Sequence, residues 1–417
     1  MSPAAILFAL LIENVTLIDG TGRAPLEGVT IVIDGDRIRS VSSRTETPLA
    51  TATRIDGTGK WAIPGLMDMH VHLQGGIRAL HGYLYSCVTS IYDAGNDPEV
   101  IFPLRDKERS GEIVAPRIFA AGAVVTAPGG HGGEGAVTVE DFARDRPKLD
   151  EHIARRPDVL KITQDEHGWG TRPMIRYLPA DLLEEIVRYY QEHGIRTTIH
   201  VSNEIRAWEA IYAGIDTLAH PVIQGPVSDR YLNMMKVKRI PQVSTLTIGD
   251  GYSRLVENPE FLDEPLYRAI MTAEDMDRLR TKTRMEWEAR RWTQWMRVMT
   301  PVAQENLKRL HDAGGVVVVG TDQSLGAAVH RELELLVEGG ISPLDAITMA
   351  TRNAAVFLGR ERDLGTIEAG KLADLVLLDA DPAEDIDNAK KIHAVIKAGA
   401  VVDRSALQIP ANGVTEP

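Results

Sequence analysis

The stretch Pro64-Gly65-Leu66-Met67-Asp68-Met69-His70-Val71-His72-Leu73 decides how the chain is read. It is an apolar run that ends on two histidines two residues apart. In a strand, residues i and i+2 point to the same side. His70 and His72 therefore present two imidazoles to one space, where a single cation can take both. A pair alone is equally compatible with two half-buried polar residues. The reading turns on whether further ligand-type residues end other apolar runs.

They do. Asp158-Val159-Leu160-Lys161-Ile162 places a lysine inside an apolar run. Thr197-Thr198-Ile199-His200-Val201 and Asp216-Thr217-Leu218-Ala219-His220 each close on a histidine, and Val316-Val317-Val318-Val319-Gly320-Thr321-Asp322 closes on an aspartate. Strand ends are expected near His72, Asp93, Val125, Ile162, Val201, His220, Leu246 and Asp322, with amphipathic segments such as 180–192 and 203–213 between them. Repeated β-then-α units imply an α/β fold of the (β/α)8 TIM-barrel type, whose site forms at the C-terminal strand ends. The candidate ligands fall at those ends.

Both termini read as strands. Val29-Thr30-Ile31-Val32-Ile33 and Arg37-Ile38-Arg39-Ser40-Val41 flank Asp34-Gly35-Asp36, a hairpin signal. Ala373 to Asp379 and Ile392 to Gly399 repeat the pattern near the other end. The expected division is a small β-sandwich domain built from 1–60 and 361–417, around a barrel at 61–360. A helix is expected over 342–358, with Ser342 as its cap, Pro343 in its first turn and Gly359 at its end. The interval from Leu246 to Val316 is too long for one connection. Its excess, 257–299, is charged and helical in pattern, with Met285, Trp292, Trp295 and Met299 on one face. A core helix, a cover over the site and a subunit contact all fit that face.

The chain has 417 residues, room for one barrel of roughly 250 to 300 residues and a smaller domain. A formal net charge of -13 argues against nucleic acid or an anionic membrane as the main partner. The single cysteine, Cys87, excludes an intrachain disulfide, so nothing requires an oxidising compartment. It reads as a buried strand residue. The apolar segment 4–12 is too short to span a bilayer and has no basic residue before it. The expected setting is cytoplasmic. The expected partners are a small-molecule substrate and further copies of the chain as a homo-oligomer, with no nucleic acid and no membrane.

The order His-x-His, Lys, His, His, Asp, carried by His70, His72, Lys161, His200, His220 and Asp322, closely resembles the amidohydrolase superfamily with a two-metal centre. The resemblance covers nearly the whole chain. It includes Gly365-Thr366-Ile367-Glu368-Ala369-Gly370-Lys371-Leu372, which re-enters the terminal β domain. It implies that His70, His72 and Asp322 hold one divalent ion, that His200 and His220 hold a second, and that a carboxylated Lys161 bridges them. Burial lowers a lysine's pKa, and the free amine can add carbon dioxide. Imidazole and carboxylate suit Zn2+, with Mn2+ or Co2+ as substitutes. The implied mechanism is attack by a metal-bridging hydroxide, with Asp322 as the proton shuttle. Asp68 would point away from the histidine pair and is read as structural.

Within the superfamily the chain looks most like the prolidase-like and imidazolonepropionase-related group, several members of which cleave dipeptides or N-acyl amino acids. The implied reaction is therefore hydrolysis of an amide or peptide C–N bond. Lactone, cyclic amide or phosphotriester hydrolysis on the same centre is the alternative, and a non-catalytic scaffold is a third reading. That group often carries a glycine-rich motif with a histidine after the third strand, here Ala127-Pro128-Gly129-Gly130-His131-Gly132-Gly133. The commoner pattern has an acid where Gly133 stands; Glu134 follows it. His131 is a candidate substrate contact. In the loop after Lys161, Arg172, Arg176 and Tyr177 are further candidates, because an arginine there can pair with a substrate carboxylate.

Overall fold

Strands from both ends of the chain share one sheet. In the computed structural model, which describes residues 9–43, 52–133, 135–167 and 173–413, that sheet has eight strands. Its order is Ala400–Val401, Ile392–Lys397, Leu375–Leu378, Trp61–Pro64, Leu10–Leu17, Leu26–Asp34 and Arg37–Ser42, with Thr53–Asp56 beside Leu10–Leu17. The alternation of the sequence sets its register. Ile12, Ile31, Ile33, Leu375, Leu377 and Ile396 all face one core. The hairpin forms where Gly35 was expected to turn it: Asp34 pairs with Arg37, and Gly35 takes a φ of 64°.

The middle of the chain makes two parallel sheets. One has three strands, Leu66–Val71, Val88–Asp93 and Arg117–Ala120. The other runs Val137–Thr138, Val125–Thr126, Val159–Thr163, Arg196–His200, Thr217–Leu218, Pro241–Val243 and Val316–Val318. Backbone bonds tie them at both flanks: Met69 N–H donates to Val319 O (3.0 Å) and Asp158 N–H to Ala120 O (2.9 Å). Among the described residues no continuous ladder runs around all these strands. Leu66–Val71, Val88–Asp93 and Val159–Thr163 are buried at every residue, which is why they read as apolar runs without alternation. Helices cover the outside. Ala180–Glu192, for example, turns Leu182, Leu183, Ile186, Val187 and Tyr190 inward. No described helix is long and apolar enough to cross a membrane.

Four expectations shift. The strand expected to end at Leu246 ends at Val243, and Leu246 instead opens the helix Leu246–Glu257. The buried Glu332 carboxylate accepts from Leu246 N–H and Thr247 N–H at 2.8 Å each, an anion at a helix N-terminus. The strand expected at Val125 is preceded by a separate one, Arg117–Ala120. The helix over 342–358 is two helices, Pro343–Met349 and Arg352–Leu358. Between them the carbonyls of Met349 and Ala350 accept from Val319 and Met67 of the strands, so they are diverted from the helix ladder. Finally, Arg291 at φ 56° breaks the long helical segment and resets its phase. Met285 ends up exposed, while Trp292 and Met296 are buried.

Candidate metal centre

The histidine pair ends its strand as the spacing requires, and the backbone around it is drawn unusually close. A Cβ added at Gly320 would lie 2.4 Å from Val243 Cγ1 and 2.9 Å from His70 N. Only glycine lets the strand Val316–Val318 pass His70 so closely before it reaches Asp322. Asp322 N–H donates to His70 O (2.7 Å), and Asp322 itself sits at φ 54°, a left-handed conformation that non-glycine residues adopt sparingly. Asp68 secures that turn. It is fully buried and accepts from Thr321 N–H (2.9 Å), Thr321 Oγ–H (2.7 Å) and His70 N–H (3.2 Å). Burial pushes its carboxyl up to about 8.

Three imidazoles are held by one nitrogen. His70 Nδ1 donates to Ala219 O (3.0 Å), and His72 Nδ1 donates to Gly95 O (2.8 Å). His220 Nδ1 lies 2.9 Å from Thr245 Oγ1. A carbonyl can only accept, so His70 and His72 carry their proton on Nδ1 when neutral and present the Nε2 lone pair inward. Asp93 supports the second of these bonds: its carboxylate accepts from Gly95 N–H and Asn96 Nδ2–H and fixes the loop that offers Gly95 O. Burial, then the positive charges of Lys161 and His72, holds His70 well below the usual imidazole range. Burial and the neighbouring imidazoles do the same to His220, and burial with His131 lowers His200 to about 3. These rings are neutral at ordinary pH and offer lone pairs to a cation.

Lys161 stands among them. It is 2% exposed, its Nζ is 3.2 Å from His70 Nε2, and burial lowers its pKa to about 7. A substantial share is therefore free amine at neutral pH. Asp322 Oδ1 lies 3.4 Å from His72 Nε2 and 3.7 Å from His70 Nε2. Donor atoms of His70, His220 and Asp322 all fall within 4.8 Å of one another. Imidazole nitrogens and one carboxylate converging beside an amine that can shed its proton fit a divalent cation. Candidate ligands for divalent metal are thus in place.

His200 is arranged differently. Its ring lies 4.3 Å from that of His220 but also 4.3 Å from that of His131. Its Nε2 faces Asp165 Oδ2 at 3.2 Å, and His131 Nδ1 is 3.7 Å from the same oxygen. Donor atoms of His131, Asp165 and His200 form a second group within 4.8 Å. Asp165 was not singled out from the sequence, although it follows the Lys161 strand by two residues, as a strand-end acid should. It is 1% exposed and also accepts from Ser202 Oγ–H (2.8 Å) and His167 N–H (3.0 Å). Burial opposes its charge, but His131, His200 and Ser202 hold the carboxyl well below the usual range.

The other expected contacts are scattered. His131 lines the cavities, and its carbonyl accepts from the Thr163 hydroxyl. Arg176 is exposed and faces Glu140 at 3.6 Å; Tyr177 lies beneath the Arg206 guanidinium, 3.8 Å from its ring centre. Neither lines a cavity at the centre, because Tyr177 packs on the Glu204–Tyr212 helix through Arg206 and Arg176 turns outward. Arg172 and Glu134 lie outside the described residues. Two cavities meet at His131, His200, His220 and Asp322: one of about 670 Å3 beside His70, His72, Lys161 and the glycine-rich loop, and one of about 300 Å3 beyond His220.

The Amidohydrolase family model matches residues 296–402. The ochratoxinase of Aspergillus niger is 25% identical, over 89% of this chain and 81% of that protein. The imidazolonepropionase of Streptomyces griseus is 24% identical, over 89% and 91%. A crystal structure of a Xaa-Pro dipeptidase with bound methionine superposes with a TM-score of 0.76 at 24% identity, covering 94% of this chain and 99% of that one. Together these similarities support an amidohydrolase-superfamily hydrolase acting on amide bonds, of the prolidase and imidazolonepropionase-related group.

Proposed function

We propose that the chain is a binuclear metal-dependent hydrolase that cleaves the C–N bond of a small amide, such as a dipeptide or an N-acyl amino acid. The observation that carries this reading is the convergence of neutral imidazole nitrogens, the buried Lys161 amine and Asp322 on one space at the strand ends. In this reading the two parallel sheets are the wall of a (β/α)8 barrel over 61–360, and 1–60 with 361–417 form the small β domain. His70, His72 and Asp322 would hold one ion and His200 and His220 the other, and Zn2+ suits the set. Lys161, as free amine, would add carbon dioxide with release of one proton, and its carbamate would serve as a further ligand. Bound there, divalent ions acidify a water and polarise a carbonyl.

The protein's own groups do the rest. Asp322 faces both cavities, takes the proton of the attacking water and returns it to the leaving amine. His131, at the junction of the cavities, donates to the substrate carbonyl or carboxylate. Thr163 anchors His131 through its carbonyl, and Asp165 braces His131 and His200 together. Metal-loaded protein should release free amino acid from dipeptides or N-acyl amino acids, read by mass spectrometry, and His200→Ala should abolish the release. Turnover of lactones, cyclic amides or phosphotriesters with none of amides would move the assignment to those bonds. A chain that binds no stoichiometric metal would be a scaffold instead.

A further inference from the structure

The two cavities that meet at the centre differ in chemistry. The larger is walled by Asn96, Asp97, Lys161, Gly132, Gly133 and Gly135. The smaller, about 300 Å3, is walled by Ile223, Ile248, Tyr252, Met296, Met299 and Ala303, and among the described residues Asp322 is the only acidic or basic side chain in it besides the histidines of the centre. Its outer side is two helices, Leu246–Glu257 and Trp292–Asp312. They are locked together: a Cβ on Gly249 would lie 2.6 Å from Thr300 Oγ1, and Thr293 Oγ–H donates to Tyr252 O (3.0 Å). Glu332 pins the start of the first helix. The 246–316 interval therefore supplies a fixed apolar wall to the site.

We propose that the substrate carries an uncharged apolar group of aromatic size on one side of the scissile amide, seated against Ile248, Tyr252, Met296 and Met299. This rests on the hydrolase reading above. The volume matches the low end of small-molecule pockets, whose walls are mainly apolar with a few placed polar groups. A charged group there would lose its hydration without a partner. Unbranched methionines adapt to several apolar shapes, so the cavity selects for size and polarity rather than one outline. The polar remainder of the substrate lies on the glycine-walled side.

Two substrate series test this on the metal-loaded full chain. One varies the amine side (N-acetyl-glycine, -alanine, -leucine, -phenylalanine), the other the acyl side (acetyl-, hexanoyl-, phenylacetyl-glycine). In one series kcat/KM should climb with apolar size, by up to about fourfold per fully buried methylene. Met299→Trp, which fills the cavity, should cut the ratio of largest to smallest substrate about tenfold, and Met299→Ala should move the preference toward bulkier groups. Ratios that stay flat in both series, or that neither variant changes, overturn the proposal. Equilibrium titration with phenylalanine against glycine and phenylacetate against acetate needs no turnover. If neither apolar member binds more tightly, the proposal fails even where the hydrolase reading stands. If one does and no amide is cleaved, the pocket stands and the hydrolase reading falls.

Discussion

His70 and His152 are both buried, both bonded to a backbone carbonyl and both kept below the usual imidazole pKa by burial. They differ at the second nitrogen. His152 is satisfied twice, by Ala121 O at 2.9 Å and the Tyr190 hydroxyl at 2.8 Å, on the helix Phe142–Ala154. His70 spends Nδ1 on Ala219 O and turns Nε2 into a cluster, 3.2 Å from the Lys161 amine and 3.7 Å from the Asp322 carboxylate. Burial and a low pKa therefore do not mark a candidate metal ligand. A nitrogen turned toward other ligand-type groups does. His330 is a third case: its Nε2 lies 3.1 Å from Ser86 O and 3.8 Å from Cys87 Sγ, and its buried Nδ1 has no hydrogen-bond partner among the described residues.

The largest effect that sharpens this contrast is at Asp322. Asp322→Asn keeps the shape and loses the proton acceptor, so kcat/KM should fall by roughly 10^2 to 10^4-fold. A smaller loss in steady-state kinetics would mean that another group carries the proton. Next is Thr245, whose hydroxyl lies 2.9 Å from His220 Nδ1 and which also lines the smaller cavity. Thr245→Val should weaken metal binding by about 10 to 100-fold in competition with a chelator. An unchanged affinity would remove His220 from the ligand set.

His330, outside the candidate metal centre, makes a pH prediction of the opposite kind. Burial holds His330 down to about 4, against an ordinary value near 6.5. Between those two values the unfolded chain takes up a proton that the folded chain refuses. Stability contributed by the neutral ring is present above pH 6.5 and is lost as pH falls toward 4, by about 3 kcal/mol at most. His330→Gln should flatten this part of a chemical-denaturation series between pH 7 and 4, and an equal slope in both proteins would contradict it. The smallest effect is expected at Arg176, whose partner Glu140 is across an exposed 3.6 Å gap. Arg176→Ala should change stability by about 0 to 1 kcal/mol and kcat/KM by less than about threefold. A large kinetic loss would bring that loop back to the substrate.

The candidate ligand residues were legible because each sits within or at the end of an apolar run, and a parallel strand buried on both faces announces itself by that run. The Asp34-Gly35-Asp36 hairpin was legible for the same local reason. What escaped depends on contacts made at long range. Asp165 lies in a loop and gains its meaning from His131, His200 and Ser202, which come from two other places in the sequence. The break at Ala350 is set by strand N–H groups from Met67 and Val319. Periodicity carried Met285 onto the face of Met299 only by running through Arg291, where the left-handed backbone ends one helix and starts the next. The pairing of His200 with Asp165 rather than with His220 alone is a geometric fact that spacing does not encode.

Metal stoichiometry of the full chain, by elemental analysis after loading with Zn2+ and removal of excess, tests the centre most directly. The account predicts two equivalents per chain, a loss in both His70→Ala and His200→Ala, and no change in His152→Phe. No stoichiometric metal, or the same content in all four proteins, would contradict it.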